Sequence, residues 1–543
     1  MSLFAGRARE GNHVEPGPGA EGNDPMTSAH GTETTAGPIP GNVAPEDTAA
    51  TGERGANPEG MAAVTRRARE VLAPTNVITD HTRLRTYECD GLANYRVTPA
   101  LVVLPETTEQ LAAVVRACAE HLVPFVARGS GTGLSGGALP RADGVLVVTS
   151  RMRAIREIRR ADQRAIVEPG VINLDVTKAA TSSGYYYAPD PSSQQICSIG
   201  GNLAENSGGA HCLKYGFTTN HVVGAEFVTP AGDVVQLGGL ATDAPGYDLL
   251  GVVVGSEGTL GVATSVTVRL VRQPEEVRTL LAGFASTDDA GGATSAIIGA
   301  GIVPAAIEMM DALAIEAAEA AVHCNYPDGA GAVLVIELDG AAIEVEHEFR
   351  EVERHCNEHG AFEIRVATDA VERALIWRGR KSAFAAVGRI SPDYIVQDGV
   401  IPRTALPEVL RAIAELSSSS GVRVANVFHA GDGNLHPLVL FDDSVEGAGD
   451  AAEKVSGAIL DLCISHGGSI TGEHGVGIDK AAYMPKMFTD EDLDTMQLVR
   501  CAFDPNALAN PGKVFPTPRL CGEVPGRKKA AHPLVEAGLA EAF

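Results

Sequence analysis

The chain has 543 residues, with 43 Lys plus Arg against 69 Asp plus Glu and a formal net charge of −26. That length holds two or three domains with an ample apolar core, and the charge argues against unspecific binding to nucleic acid or to an anionic membrane surface. The nine cysteines are scattered with no CxxC spacing, so neither a disulfide framework nor an iron–sulfur ligand run is readable, and reduced thiols are expected.

No apolar run nears the roughly 18 residues of a membrane span, and the polar start lacks a secretory signal, so a cytoplasmic chain is expected. Residues 1–60 carry 7 Pro, 11 Gly and 9 acidic against 3 basic side chains. Such a segment buries too little to offset its ordering entropy and reads as a disordered tail, with Met61 an alternative start. Globular texture follows. Leu101–Leu104 reads as a strand, and Thr107-x-x-Gln110 opens a helix with Leu111, Val114, Val115 and Cys118 on one face. Pro124–Ala127, Val145–Val148 and Ala165–Val167 read as strands, and a helix is expected near Leu174–Ser183. This alternation indicates α/β structure.

Between the strands ending at Ala127 and starting at Val145 lies Arg128-Gly129-Ser130-Gly131-Thr132-Gly133-Leu134-Ser135-Gly136-Gly137. It contains a literal GxGxxG, but a nicotinamide-binding fingerprint must open a helix, and this loop runs into another strand. What remains is a bend of backbone N–H groups able to hold a diphosphate. A second glycine-rich block spans Ser198–Gly209. A third, Gly255–Gly261, lies between Leu249–Val254 and Val262–Leu270, both read as strands. Three such blocks suggest one long ligand approached repeatedly by main chain.

After Pro274 the texture changes to a separate β/α unit. Leu280–Phe284, Val333–Leu338 and Phe362–Val366 read as strands, Asp311–Val322 and Ile343–His359 as helices. Two motifs carry chemistry here: His429-Ala430-Gly431-Asp432-Gly433-Asn434-Leu435-His436 and Thr471-Gly472-Glu473-His474-Gly475. The glycines between His429 and His436 exclude one helix face; a turn would bring the imidazoles to one point. With Glu473 they would suit a divalent first-row metal, Zn or Mn, leaving His474 as a base; ordinary core histidines are the competing reading. Trp377–Lys381 supplies a compact cationic cluster, either a carboxylate-binding fork or a solvated helix face.

Several long segments then carry a family resemblance: Tyr87–Gly91, Arg128–Ala138, Tyr187–Ser193, Val387–Tyr394, Ala425–Pro437 and Asn510–Lys513. From about Met61 to Phe515 the chain resembles the FAD-dependent oxidases of the vanillyl-alcohol-oxidase type, close to D-lactate and D-2-hydroxyglutarate dehydrogenases and to the flavin-binding subunits of bacterial glycolate oxidases. The resemblance implies an α+β protein with α/β elements. Residues 61–275 would form a two-subdomain PCMH-type FAD-binding domain and 276–440 an α/β cap. Residues 441–516 would complete the active site and return to the FAD domain, leaving 517–543 as a tail. Arg128, Gly129, Ser130, Gly131, Thr132, Gly133, Leu134, Ser135, Gly136 and Gly137 would hold the FAD pyrophosphate. Pro189, Asp190, Ser198, Gly201, Asn202 and Gly208 would line the flavin and its ribityl chain. Glu257, Gly258, Thr259 and Gly261 would contact the adenosine half, with Asn510 nearby. His429, His436 and Glu473 match metal ligands in the related dehydrogenases, His474 the catalytic base, and Arg380 a carboxylate-binding arginine.

The implied reaction is oxidation of a small 2-hydroxy acid, glycolate to glyoxylate or D-lactate to pyruvate, by hydride transfer to flavin N5. Relatives acting on longer diacids carry a lysine where Val396 stands ahead of Asp398, which favours a monocarboxylate over D-2-hydroxyglutarate. No histidine lies in the first glycine loop, so FAD is expected to be noncovalent, His211 notwithstanding. The resemblance further implies a second flavin-type subunit and an iron–sulfur subunit, with peripheral placement at the inner face of the membrane through these partners. A metal-dependent hydrolase on His429, His436, Glu473 and His474 is the rival reading, but it leaves the three glycine blocks unexplained.

Overall fold

A computed structural model describes residues 57–92, 94–241 and 246–516; the expectations for 1–56 and 517–543 lie outside these. The first helix, Pro58–Val71, begins inside the segment expected to be disordered. Asn57 explains this: its side chain accepts the Gly60 N–H at 2.9 Å, and Pro58 occupies the first turn, where its missing N–H costs nothing.

The strand pair around the first glycine loop belongs to a four-stranded sheet. Phe125–Arg128 and Leu101–Val103 both run parallel to Val145–Val148, and Val77–Ile78 closes the outer edge. Helix Thr108–Glu120 starts at the Thr107 cap and buries Leu111, Val114, Val115 and Cys118 against this sheet, the face that its spacing predicts. A five-stranded antiparallel sheet follows, with Val262–Arg269 at its centre between Arg164–Val167 and Val222–Val228. One expected strand is not there. Leu249–Val253 is a short helix, because Asp248 caps it by accepting the Gly251 N–H at 2.9 Å.

From Glu276 onward the chain builds an eight-stranded antiparallel sheet. Strand Ala332–Gly340 is buried on both faces. Its Ala332, Leu334, Ile336 and Leu338 join one core and Val333 and Val335 the other, the period-2 alternation of a strand with both sides covered. Helix Ala342–Glu358 packs Val345, Phe349, Val352 and Cys356 onto the first face; Ala312–Val322 and Ala370–Ala386 cover the second. Helix Ala448–Ser465, within the closing segment, packs Ala452, Val455 and Ile459 into the first of these cores.

The closing segment also reaches the first sheet. Phe125 donates its N–H to Leu508 O at 2.8 Å and accepts from Asn510 N at 2.8 Å, so Ala509 bridges alongside a strand almost four hundred residues earlier. Among the described cysteines seven are free thiols, but Cys501 is disulfide-bonded, which corrects the expectation of reduced thiols throughout. No helix among the described residues is long and apolar enough to cross a membrane.

Candidate active site

The hairpin of Val424–His429 and Asn434–Phe441 fixes the two histidines. Its register pairs His429 with Asn434 and Val427 with His436, so the imidazoles are diagonal neighbours on one sheet face. Their rings meet edge to face with centroids 5.0 Å apart. Strand Ala306–Asp311 lies on the other side, with Glu308 directly opposite His429. Glu308 Oε1 is 2.8 Å from His429 Nδ1, and its Oε2 is 2.5 Å from Arg380 Nη2. All three side chains are buried.

Glu473 arrives from the closing segment. Its Oε1 stands 3.1 Å from His436 Nε2 and 3.4 Å from His429 Nε2, while its buried Oε2 has no hydrogen-bond partner. Donor atoms of His429, His436 and Glu473 all lie within 4.8 Å of one another. Both outer ring nitrogens are engaged elsewhere, His429 Nδ1 with Glu308 and His436 Nδ1 with the Gln397 carbonyl at 3.2 Å. That leaves two Nε2 lone pairs and a carboxylate converging, a donor set that fits a divalent first-row cation with its outer sphere already built.

His474 stacks on His436 with centroids 5.1 Å apart. Burial pushes its pKa down to about 4 against the pull of Asp398, so the imidazole is neutral and able to accept a proton. Asp398 is the anchor of this loop. Its carboxylate accepts from Thr471 Oγ1 (2.6 Å), Gly472 N (2.9 Å), Glu473 N (3.1 Å) and His474 N (2.9 Å), with Lys480 Nζ 3.5 Å away. Burial opposes its charge, but the electrostatic influence of His474, Lys480 and His436 holds its pKa well below the ordinary carboxylate value. Asp398 and Glu308 were not singled out as site residues by sequence reasoning. Glu308 had one visible signal, a lone carboxylate in the apolar run Ala305–Met310.

The same loop continues onto the glycine bends. Val476 N and Gly477 N donate to Glu257 at 2.7 and 2.6 Å, and Ile478 N to Ser135 O at 3.0 Å. A Cβ at Gly208 would stand 2.8 Å from Glu473 Oε2, so the second glycine block abuts the histidine cluster directly. In the first block Gly131 and Gly136 have φ of 71° and 74°. The N–H groups of residues 130–137 donate to no described residue; the next amide, Ala138, is bound by Asp90 at 3.2 Å. Eight successive free amides around a bend fit the diphosphate of a dinucleotide.

Not every expected ligand points there. The Arg128 guanidinium is engaged with the Tyr87 carbonyl at 3.1 Å and that of Ala138 at 2.7 Å, bracing the loop. Ser198 caps helix Ile199–Glu205 through Gly201 N. Asn202 is buried with its Nδ2 unpartnered, and the Pro189 carbonyl accepts from Asn173. Asp190 holds His211 Nδ1 at 2.9 Å; although burial works against it, Asp190 and Glu337 raise His211 to about 10, and its ring stacks on Trp377. Thr259 Oγ1 bonds Ser256 O, Gly258 has φ of 70°, and Gly261, at φ 136°, lies against Phe227. Asn510 ties Gly137 O to Glu257 O at 2.8 and 2.6 Å, joining the first and third blocks. Val396 closes strand Asp393–Val396 and packs on the second cap core.

Residues 99–238 match the family described as "FAD binding domain" and residues 273–514 that described as "FAD linked oxidases, C-terminal domain". The glycolate oxidase subunit GlcD of Escherichia coli (strain K12) is 50% identical over 84% of this chain and 91% of its own. The glycolate oxidase subunit GlcD of Bacillus subtilis (strain 168) is 39% identical over 82% of this chain and 95% of its own. Among solved structures, substrate-bound p-cresol methylhydroxylase shares the fold, with a TM-score of 0.72 at 16% identity over 85% of this chain and 98% of that one.

Proposed function

Since the chain belongs to the FAD-linked oxidases and is an FAD-dependent hydroxy-acid oxidoreductase, we propose that its substrate is a small 2-hydroxy monocarboxylate, glycolate or D-lactate, oxidised to the 2-oxo acid. The observation that carries this reading is the loop 471–479. At one end it presents Glu473 and His474 to the cap histidines. At the other it is bonded to Glu257 and Ser135 beside the free amides of the first glycine bend. On this reading, acid–base groups and a dinucleotide cradle meet at one seam.

Residues 130–137, Gly208, Glu257 and Asn510 would hold FAD, which when bound supplies the acceptor for hydride from the substrate α-carbon. His429, His436 and Glu473 would hold a divalent cation, which when bound lowers the pKa of a coordinated hydroxyl. His474, neutral and beside Glu473, takes the hydroxyl proton. Arg380 keeps its buried Nε without a hydrogen-bond partner, a donor left for the substrate carboxylate once Glu308 has neutralised the guanidinium. Val396 offers no cation for a second carboxylate, which favours a monocarboxylate.

Partner subunits that take the electrons, one flavin-type and one iron–sulfur, are part of this reading, supported by the relatives' description as subunits of glycolate oxidase. So is a cytoplasmic location at the inner membrane face through those partners. The test is His474→Ala. Loss of a general base lowers rate roughly 10²–10⁴-fold, so anaerobic bleaching of the flavin by glycolate is expected to slow by that factor while bound FAD is unchanged. Bleaching at the original rate would remove His474 from the base role.

A further inference from the structure

Glu205 is the last residue of helix Ile199–Glu205, and its carboxyl lies under the first glycine bend. A Cβ built at Gly137 would stand 2.6 Å from Glu205 Oε1 and one at Gly133 3.8 Å away, while one at Gly475, just past His474, would collide with Oε2. Oε2 is closed to solvent, and the carboxyl accepts no hydrogen bond from the described residues.

The acids around it are supplied with donors. Asp90 accepts from Leu92 N at 3.0 Å and Ala138 N at 3.2 Å; Glu257 accepts from Val476 N and Gly477 N. The charged groups facing Glu205 are these two carboxylates and the ammonium groups of Lys480 and Lys513. Burial, and then the Glu257 charge, push the Glu205 carboxyl well above the ordinary carboxylate value. A half-buried carboxylate whose closed-off oxygen has no donor is costly, and a second negative charge under a diphosphate cradle would repel the ligand. The neutral acid avoids both costs and leaves an O–H that needs an acceptor, and Oε1, the oxygen beside Gly137 and Gly133, is the one that faces the bend.

We propose that Glu205 serves as a neutral carboxylic acid that donates its O–H to an oxygen of the dinucleotide seated in the bend of residues 130–137. It is a cofactor-binding residue, and its role rests on the FAD reading given above. If the purified chain carries no FAD, that reading fails; if it carries FAD and the variants below misbehave, only this inference fails.

The test compares the holoenzyme with Glu205→Gln and Glu205→Ala by FAD dissociation on dilution, followed through flavin fluorescence. Glutamine keeps a neutral donor, so its affinity is expected to stay within about threefold of the parent; alanine leaves the cofactor oxygen unpaired, and a loss of about tenfold is expected. Infrared difference spectra between holoenzyme and Glu205→Gln should show a protonated-carboxyl band that the variant lacks. If the alanine variant does not fold, the glutamine affinity and the band decide. Tightening beyond threefold in Glu205→Gln would mean a carboxylate repelling the cofactor and would overturn the proposal. So would weakening beyond threefold, an unaffected alanine variant, or a missing band.

Discussion

Glu308 touches both the arginine expected to hold substrate and the histidine expected to hold metal, and one carboxylate serves two roles there. It fixes the His429 ring by Nδ1 and neutralises Arg380, and all three side chains are buried. Replacing Glu308 by Gln keeps the shape but weakens the grip on Nδ1 and leaves Arg380 as an uncompensated buried charge. Outer-sphere changes of this kind cost about 10–100-fold in metal affinity. Titration of the metal-stripped protein with Zn or Mn in a calorimeter is expected to show that loss; an unchanged affinity would place His429 outside a metal set. At this scale the sequence displays residue types but not their partners. His429, His436, Glu473 and His474 stand in glycine-rich motifs and could be picked out. Asp398 could not, because its work is to accept from three main-chain amides and a hydroxyl more than seventy residues away.

The element that makes the cluster is the hairpin from Val424 to Phe441. Four residues, Ala430–Gly433, separate the paired His429 and Asn434, and this even spacing puts His436 on the same face as His429. Gly433 has φ of 84°, and a Cβ there would collide with the Ile401 carbonyl. Gly433→Ala is therefore expected to destabilise the protein by about 1–3 kcal/mol and to loosen the histidine pair. Urea unfolding and metal titration together check this; a variant with unchanged stability and affinity would show that the turn does not set the spacing. Elements with strong local signals were legible. The helix over Thr108–Glu120 announces itself by its cap and its 3–4 spacing, and the alternating strand Glu363–Val366 by its period. Leu249–Val253 misled because a short apolar run has no periodicity to separate strand from helix, and the deciding contact was one Asp248 cap.

Across the whole molecule, the final described residues are clipped back to the first sheet, and Lys513 shows what that closure costs. Its ammonium is buried and donates to the Leu139 carbonyl at 2.9 Å. Burial pushes its pKa down to about 8, against an ordinary value of 10.5. Between those two pH values the unfolded chain holds a proton that the folded chain has released, so unfolding free energy rises with pH across the window. The gain approaches about 1.4 kcal/mol per pH unit and about 3 kcal/mol in all. In the cofactor-free protein, urea unfolding of the parent is expected to strengthen relative to Lys513→Met between pH 8 and 10.5, with a constant difference below pH 7. A flat difference throughout would show that Lys513 keeps its proton when folded. Long-range closure of this kind was not readable from periodicity. The pairing of Phe125 with residues 508–510 and the loop 471–479 joining cap to glycine bends are contacts between distant segments, and only the family resemblance pointed to them.

Reduction of FAD in the glycine cradle by a small 2-hydroxy acid at the histidine cluster would be seen in the visible spectrum of the purified protein. Glycolate, D-lactate and D-2-hydroxyglutarate are added in turn without air. The expected result is a yellow protein whose absorption is lost with glycolate or D-lactate and retained with the diacid. A colourless preparation that takes up no FAD, or a bound flavin bleached only by D-2-hydroxyglutarate, would contradict it.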